Sequence, residues 1–185
     1  MVLRIAGTMK SRFAVSFLAF LFVAFTCLAA KPESTGPEPE ALLKKLYQAH
    51  DAEKGPFFDR KDRSLKARYF TPELAALIIK DDLVSKGEVG AIDFDPLYDS
   101  QDPKVTDLRI GEVHWGGLPG RKGDGGREGL AVVQVTFKSW GKLRQLTFDF
   151  QQQKDKSWRI SDITYPEGHS LLGLLKQAYP AGRAK

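Results

Sequence analysis

The sequence predicts an α+β domain: a curved antiparallel sheet of four strands, or slightly more, packed on N-terminal helices and closed by a C-terminal helix. Three observations predict it. Apolar residues recur at helical spacing from Pro39 to about Gly87, then alternate from Val105 to Tyr165. A short leucine-rich helical stretch follows.

Leu42, Leu43, Leu46, Tyr47 and His50 share one helical stripe, and Pro39 suits the first turn. A second helix is expected from about Ser64, with Leu65, Tyr69 and Phe70 on one side. Thr71-Pro72-Glu73 restarts it, since Thr caps, Pro fits the first turn and Glu suits the positive helix end. Leu74, Leu77, Ile78 and Asp81 continue that helix until Gly87 or Gly90.

In the first strand Leu108 and Ile110 are in phase, whereas Val113 and Trp115 are not. The change at Gly111-Glu112 predicts a β-bulge. Ala131, Val133, Val135 and Phe137 form a second apolar face, and Leu146, Phe148 and Phe150 a third. The fourth strand shifts phase between Ile160 and Ile163, so a second bulge belongs near Ser161-Asp162. Ser139–Gly141 and Lys154–Ser157 are short enough for hairpins. Leu171, Leu172, Leu174 and Leu175 form the closing helix, with Ser170 as its cap.

Residues 1–30 read as an export signal. Arg4, Lys10 and Arg12 precede an apolar run from Phe13 to Leu28, and the small residues Ala29 and Ala30 follow. The run is shorter than a spanning helix needs. Cleavage is expected at 29/30 or 30/31, with translation starting at Met1 or Met9. The membrane is then met only transiently, and the product is periplasmic or secreted. A lipoprotein anchored through Cys27 is the less favoured reading, because Ala24 and Thr26 are the wrong flanks. Residues 31–39, rich in Pro, Ser, Gly and Glu, read as a flexible linker, and residues 40–180 as one cone-like domain.

The 185-residue chain has a net charge of +5, but without residues 1–30 it holds 25 basic and 23 acidic residues. That near balance argues against nucleic acid as a partner. The shortened chain has no cysteine, so its core must hold it together.

Three stretches carry a family resemblance: Tyr69-Phe70-Thr71-Pro72-Glu73-Leu74, Asp93-Phe94-Asp95-Pro96-Leu97-Tyr98-Asp99-Ser100-Gln101-Asp102, and Trp158-Arg159-Ile160-Ser161-Asp162-Ile163. With the element order, they make the chain resemble exported bacterial domains of unknown function with a nuclear-transport-factor-2-like (cystatin-like) fold. The resemblance implies a cone-shaped fold and an extracytoplasmic location, and it implies no chemistry. The Gly-rich piece between Trp115 and Leu130 is longer than that pattern expects.

The acidic segment is the first choice for a binding surface: Asp93, Asp95, Tyr98, Asp99, Gln101 and Asp102. Clustered carboxylates suit a hard cation. However, Tyr98 and Lys104 stand where an EF-hand needs Gly and Glu, so turn capping is the favoured role. His50 is a weak acid–base candidate, with Asp162 as the carboxylate expected to join it in a pocket. His114 is expected to face solvent, and His169 to sit in a turn. Seven glycines between Gly116 and Gly129, with Arg121, Lys122 and Arg127, read as a basic hairpin loop. No catalytic set, cofactor motif or metal-ligand spacing emerges. The expectation is a non-enzymatic accessory domain that binds a small ligand or an extracytoplasmic protein. The alternative is a small hydrolase or isomerase using a pocket carboxylate and His50.

Overall fold

The computed structural model describes residues 31, 33–118 and 128–180. The expected export signal, Cys27 and the middle of the Gly-rich loop (residues 119–127) lie outside these.

Three helices come first: α1 (Pro39–Asp51), α2 (Arg63–Tyr69) and α3 (Pro72–Ser85). Four strands follow: β1 (Val105–Trp115), β2 (Leu130–Ser139), β3 (Lys142–Gln152) and β4 (Trp158–Thr164). The last element is α4 (Leu171–Ala178). The sheet is antiparallel throughout, in the order β1-β2-β3-β4. The chain is thus α+β, with a curved open sheet against the N-terminal helices. No helix among the described residues is long and apolar enough to cross a membrane.

Each helix starts where a side chain or a proline satisfies its first turn. The Asp62 carboxylate accepts from the Leu65 amide at 2.9 Å and caps α2, a role the sequence reading did not give it. Thr71 caps α3, and the Ser170 hydroxyl accepts from the Gly173 amide to cap α4. Lys86, at φ +51°, ends α3 one residue before the expected Gly87.

Both expected bulges are present. Register shifts between Ile110 and Val113 on β1, and opposite Asp149/Phe150 on β4, where Ser161 is the extra residue. A third shift lies between Thr106 and Arg109. These irregularities increase local twist and bend the sheet. The concave face carries Val133, Val135, Phe137, Leu146, Phe148, Trp158 and Ile160, all fully buried. Helix α1 packs on β1, β2 and β4, while α2, α3 and α4 pack along β4. Each large apolar side chain so buried contributes about 1.5–3 kcal/mol. The α2–α3 junction is pinned to the sheet where the Thr71 amide donates to the Ile160 carbonyl at 2.9 Å.

The β2–β3 hairpin turns on two residues, Trp140 and Gly141, both at positive φ. A tryptophan tolerates this because its indole is anchored: Nε1 donates to the Asp102 carbonyl at 2.8 Å. The first hairpin forms despite its long loop, with Trp115 opposite Ala131. Part of the expected linker lies against the β3–β4 turn, where the Thr35 amide donates to the Lys156 carbonyl.

The β1 bulge leaves no room for a side chain at Gly111, where a Cβ would meet the Gln134 carbonyl at 2.9 Å. Gly111→Ala is expected to cost about 1–3 kcal/mol, as overpacking does. Urea denaturation of the two proteins measures this, and an unchanged midpoint would mean the backbone yields freely there.

Candidate functional site

Residues 95–100 form a closed turn rather than an open acidic loop. The Asp95 amide donates to the Ser100 carbonyl, and the Asp95 carbonyl accepts from the Tyr98 and Asp99 amides. Asp95 Oδ1 accepts from the Leu97 amide at 2.9 Å, a side-chain turn two residues long. The turn is drawn into the core by two tyrosines. Tyr47 of α1 donates to the Leu97 carbonyl at 3.0 Å, and Tyr165 donates to the Pro96 carbonyl at 3.3 Å. Burial, chiefly, holds both phenols well above their usual pKa, so they stay neutral donors.

The end of α1 grips the same turn from the other side. His50 Nε2 lies 2.7 Å from Asp95 Oδ2. The Tyr98 hydroxyl donates to Asp51 Oδ1 at 2.5 Å, and the Tyr98 pKa is raised by burial and then by that bond. Adjacent residues on a helix point in different directions. Here His50 and Asp51 use that divergence to take two successive groups of one turn.

The carboxylates of the acidic segment therefore diverge. Asp95 faces His50, whereas Asp99 lies 4.0 Å from Arg144 in the left-handed conformation. Asp93, Gln101 and Asp102 are exposed. Among the described residues, no group of three or more His, Cys, Asp or Glu is placed to hold a metal ion. Asp162 serves elsewhere: its Oδ1 accepts from the neighbouring Ile163 amide and from the Leu172 amide at the start of α4. The carboxylate beside His50 is Asp95, not Asp162. His114 and His169 are exposed, and His169 stacks on Tyr165.

Beside the His50–Asp95 contact lies a cavity of about 410 Å³, within the usual range for small-molecule sites. The α1–α2 connection supplies Phe57, Phe58 and Arg60. Helix α3 supplies Ile78, Asp81 and Asp82, and the α3–β1 connection supplies Ile92, Phe94 and Gln101. A second cleft of about 580 Å³ shares His50, Phe58, Asp95 and Pro103 with it, and runs past Asp51, Glu53 and Tyr98 to Asp107.

The walls are held by buried charge. Lys66 of α2 is 0% exposed, yet its ammonium meets Asp82 at 3.0 Å and donates to the carbonyls of Asp59 and Arg60. Asp81 accepts from the Ala91 and Ile92 amides and from the Tyr179 hydroxyl. Gly90 is required beside it, because a Cβ would fall 2.5 Å from the Asp81 carboxylate. His50 is 4% exposed, and its Nδ1 has no hydrogen-bond partner. Its ring is covered by Phe58, 4.9 Å away between centroids and itself 48% exposed.

No family profile, curated protein or solved structure matches the chain. Sequence reasoning missed Phe57, Phe58, Arg60, Lys66 and Asp82. Lys66 gave no signal, because a lysine between Leu65 and Tyr69 reads as a solvated helix position. Asp59 and Asp62, spaced like turn caps before α2, were a usable sign that this connection is structured.

Two substitutions separate the roles of neighbouring carboxylates. Asp95→Ala is expected to lose about 2–3 kcal/mol, because it strips the Leu97 amide and His50 of their buried partner. Asp99→Asn is expected to stabilise by no more than about 1 kcal/mol at neutral pH. Burial first, then the Glu167 charge, raises the Asp99 pKa. The folded state therefore keeps that proton to higher pH than the unfolded chain, and wild-type stability falls as pH rises through the interval between the two values. The advantage of Asn should disappear below that interval. Thermal melts of both variants from acid to neutral pH test each sign.

Proposed function

We propose that this chain is an exported accessory domain that binds a small molecule in the cavity between α3 and the His50–Asp95 contact. One observation carries the reading: a cavity of about 410 Å³ is lined by aromatic and aliphatic side chains together with His50, Gln101 and four charged side chains. Its lining comes from α1, α3 and the two connections that follow α1 and α3, so the same contacts that fold the chain shape the pocket. The export signal read at residues 1–30 supports placing the ligand outside the cytoplasm. The nuclear-transport-factor-2-like resemblance is consistent with a cavity in a cone, but fold alone assigns no ligand.

The test is native mass spectrometry of protein recovered from the extracytoplasmic fraction, beside an Ile92→Trp variant that fills the cavity. The expected result is a chain beginning at Ala30 or Lys31 with a stoichiometric added mass that the variant lacks. A bare polypeptide that takes up no compound from a small-molecule library would end the pocket reading and favour a protein partner.

A second reading, acid–base catalysis, is favoured by the 2.7 Å contact between His50 and Asp95. A carboxylate at one ring nitrogen fixes the imidazole and leaves the other nitrogen for proton transfer. Under this reading, a molecule released from the wild-type protein and added back returns chemically changed, while His50→Gln binds it and returns it intact. Recovery of the same molecule unchanged from both proteins would leave binding alone.

A further inference from the structure

The charges and the orphaned nitrogen at this site restrict the kind of ligand it takes. An ionised carboxylate only accepts, so the ring proton between Asp95 and His50 belongs to Nε2. In the neutral ring Nδ1 is then a lone pair. It is enclosed and unpartnered, and an unmet acceptor in a buried site is costly. A ligand N–H would satisfy it. Phe58 lies against the ring, lines the cavity and is half in solvent, so it is the group that must swing aside.

The surrounding charge has one dominant sign. Asp81, Asp82 and Asp95 line the cavity against Arg60 alone, and Asp51, Glu53 and Asp107 continue along the adjoining cleft. Lys66 offsets Asp82 and Lys138 offsets Asp107, which still leaves an acidic excess. Phe58 and Tyr98 are the aromatic residues of the adjoining cleft, and aromatic rings attract cations. The acidic excess disfavours an anionic ligand.

Resting on the pocket reading above, we propose that the ligand is a protonated amine or guanidinium on an apolar frame. Its N–H points to His50 Nδ1, its charge lies among Asp95, Asp51 and Glu53, and its frame lies against Phe58, Phe57 and Ile92.

The test uses four compounds of one shape: 2-phenylethylammonium, its N-trimethyl analogue, 2-phenylethanol and 3-phenylpropanoate. Each is titrated to millimolar concentration while the Phe58, Ile92 and His50 resonances are followed by NMR. The primary ammonium should bind about tenfold more tightly than the alcohol. The trimethyl analogue, lacking an N–H, should fall between them, and the carboxylate should not bind. The double variant Glu53→Gln/Asp107→Asn should weaken the ammonium about threefold and leave the alcohol unchanged, since each exposed charge contributes modestly. Alcohol or carboxylate binding as tight as the ammonium, at the same resonances, overturns the ligand class while the pocket stands. A trimethyl analogue that binds as tightly as the primary ammonium removes the role of Nδ1 from the proposal. Silence from all four compounds at those resonances overturns the proposal together with the pocket reading.

Discussion

The turn at Asp95 is the constraint on which the rest of the site depends. It carries two carbonyls, those of Pro96 and Leu97, into the interior, and buried carbonyls need donors. Tyr47 of α1 and Tyr165, one residue past β4, supply them, and burial keeps both phenols protonated. The Asp95 carboxylate then has one oxygen for the Leu97 amide and one for His50. Without that division the turn could not join the core while also facing a cavity. The middle of a segment with four aspartates is thus drawn into the hydrophobic interior, with Leu97 fully buried, while Asp93 and Asp102 stay exposed.

Opposite that turn, the Lys66–Asp82 pair builds the second wall by different means. A buried ion pair is weak support for stability by itself, because desolvation offsets much of the attraction. Here the ammonium also closes the α1–α2 connection by binding two of its carbonyls. Removing it would leave Asp82 and both carbonyls short of a donor at once. The pair therefore acts as a positional lock between α2, α3 and the connection that carries Phe57 and Phe58. With both walls fixed, the Phe58 ring is the aromatic part of the lining that keeps one side in water.

Patterns of spacing made much of the fold legible. Alternation and its phase breaks located two bulges, at Gly111 and Ser161, because an added residue flips every later side chain to the other face. The bulge near Asp107 was not legible, since Thr106, Asp107 and Arg109 are polar on both faces and record no phase. At the site, local chemistry was readable and long-range partnership was not. Asp95 could be read as a turn-capping aspartate, but nothing in the chain joined it to His50, 45 residues earlier. Asp162 looked equally available, yet its place in β4 beside α4 commits it to the amides of Ile163 and Leu172. Lys66 was invisible for the same reason: its burial follows from the path of a connection with no periodicity to read.

The lining also bears on which kind of chemistry the pocket could perform. Hydrolysis of an ester or amide develops negative charge on oxygen, and that charge needs preorganised donors. Around His50, the Leu97 amide is already bound to Asp95, and the Asp81 carboxylate occupies the amides of Ala91 and Ile92. Arg60 is drawn toward Asp82 and the Glu88 carbonyl. A developing oxyanion would instead meet Asp81, Asp82 and Asp95. The same arrangement stabilises positive charge on a bound ligand. The electrostatics therefore set hydrolysis below both binding of a cation and simple proton transfer to or from one.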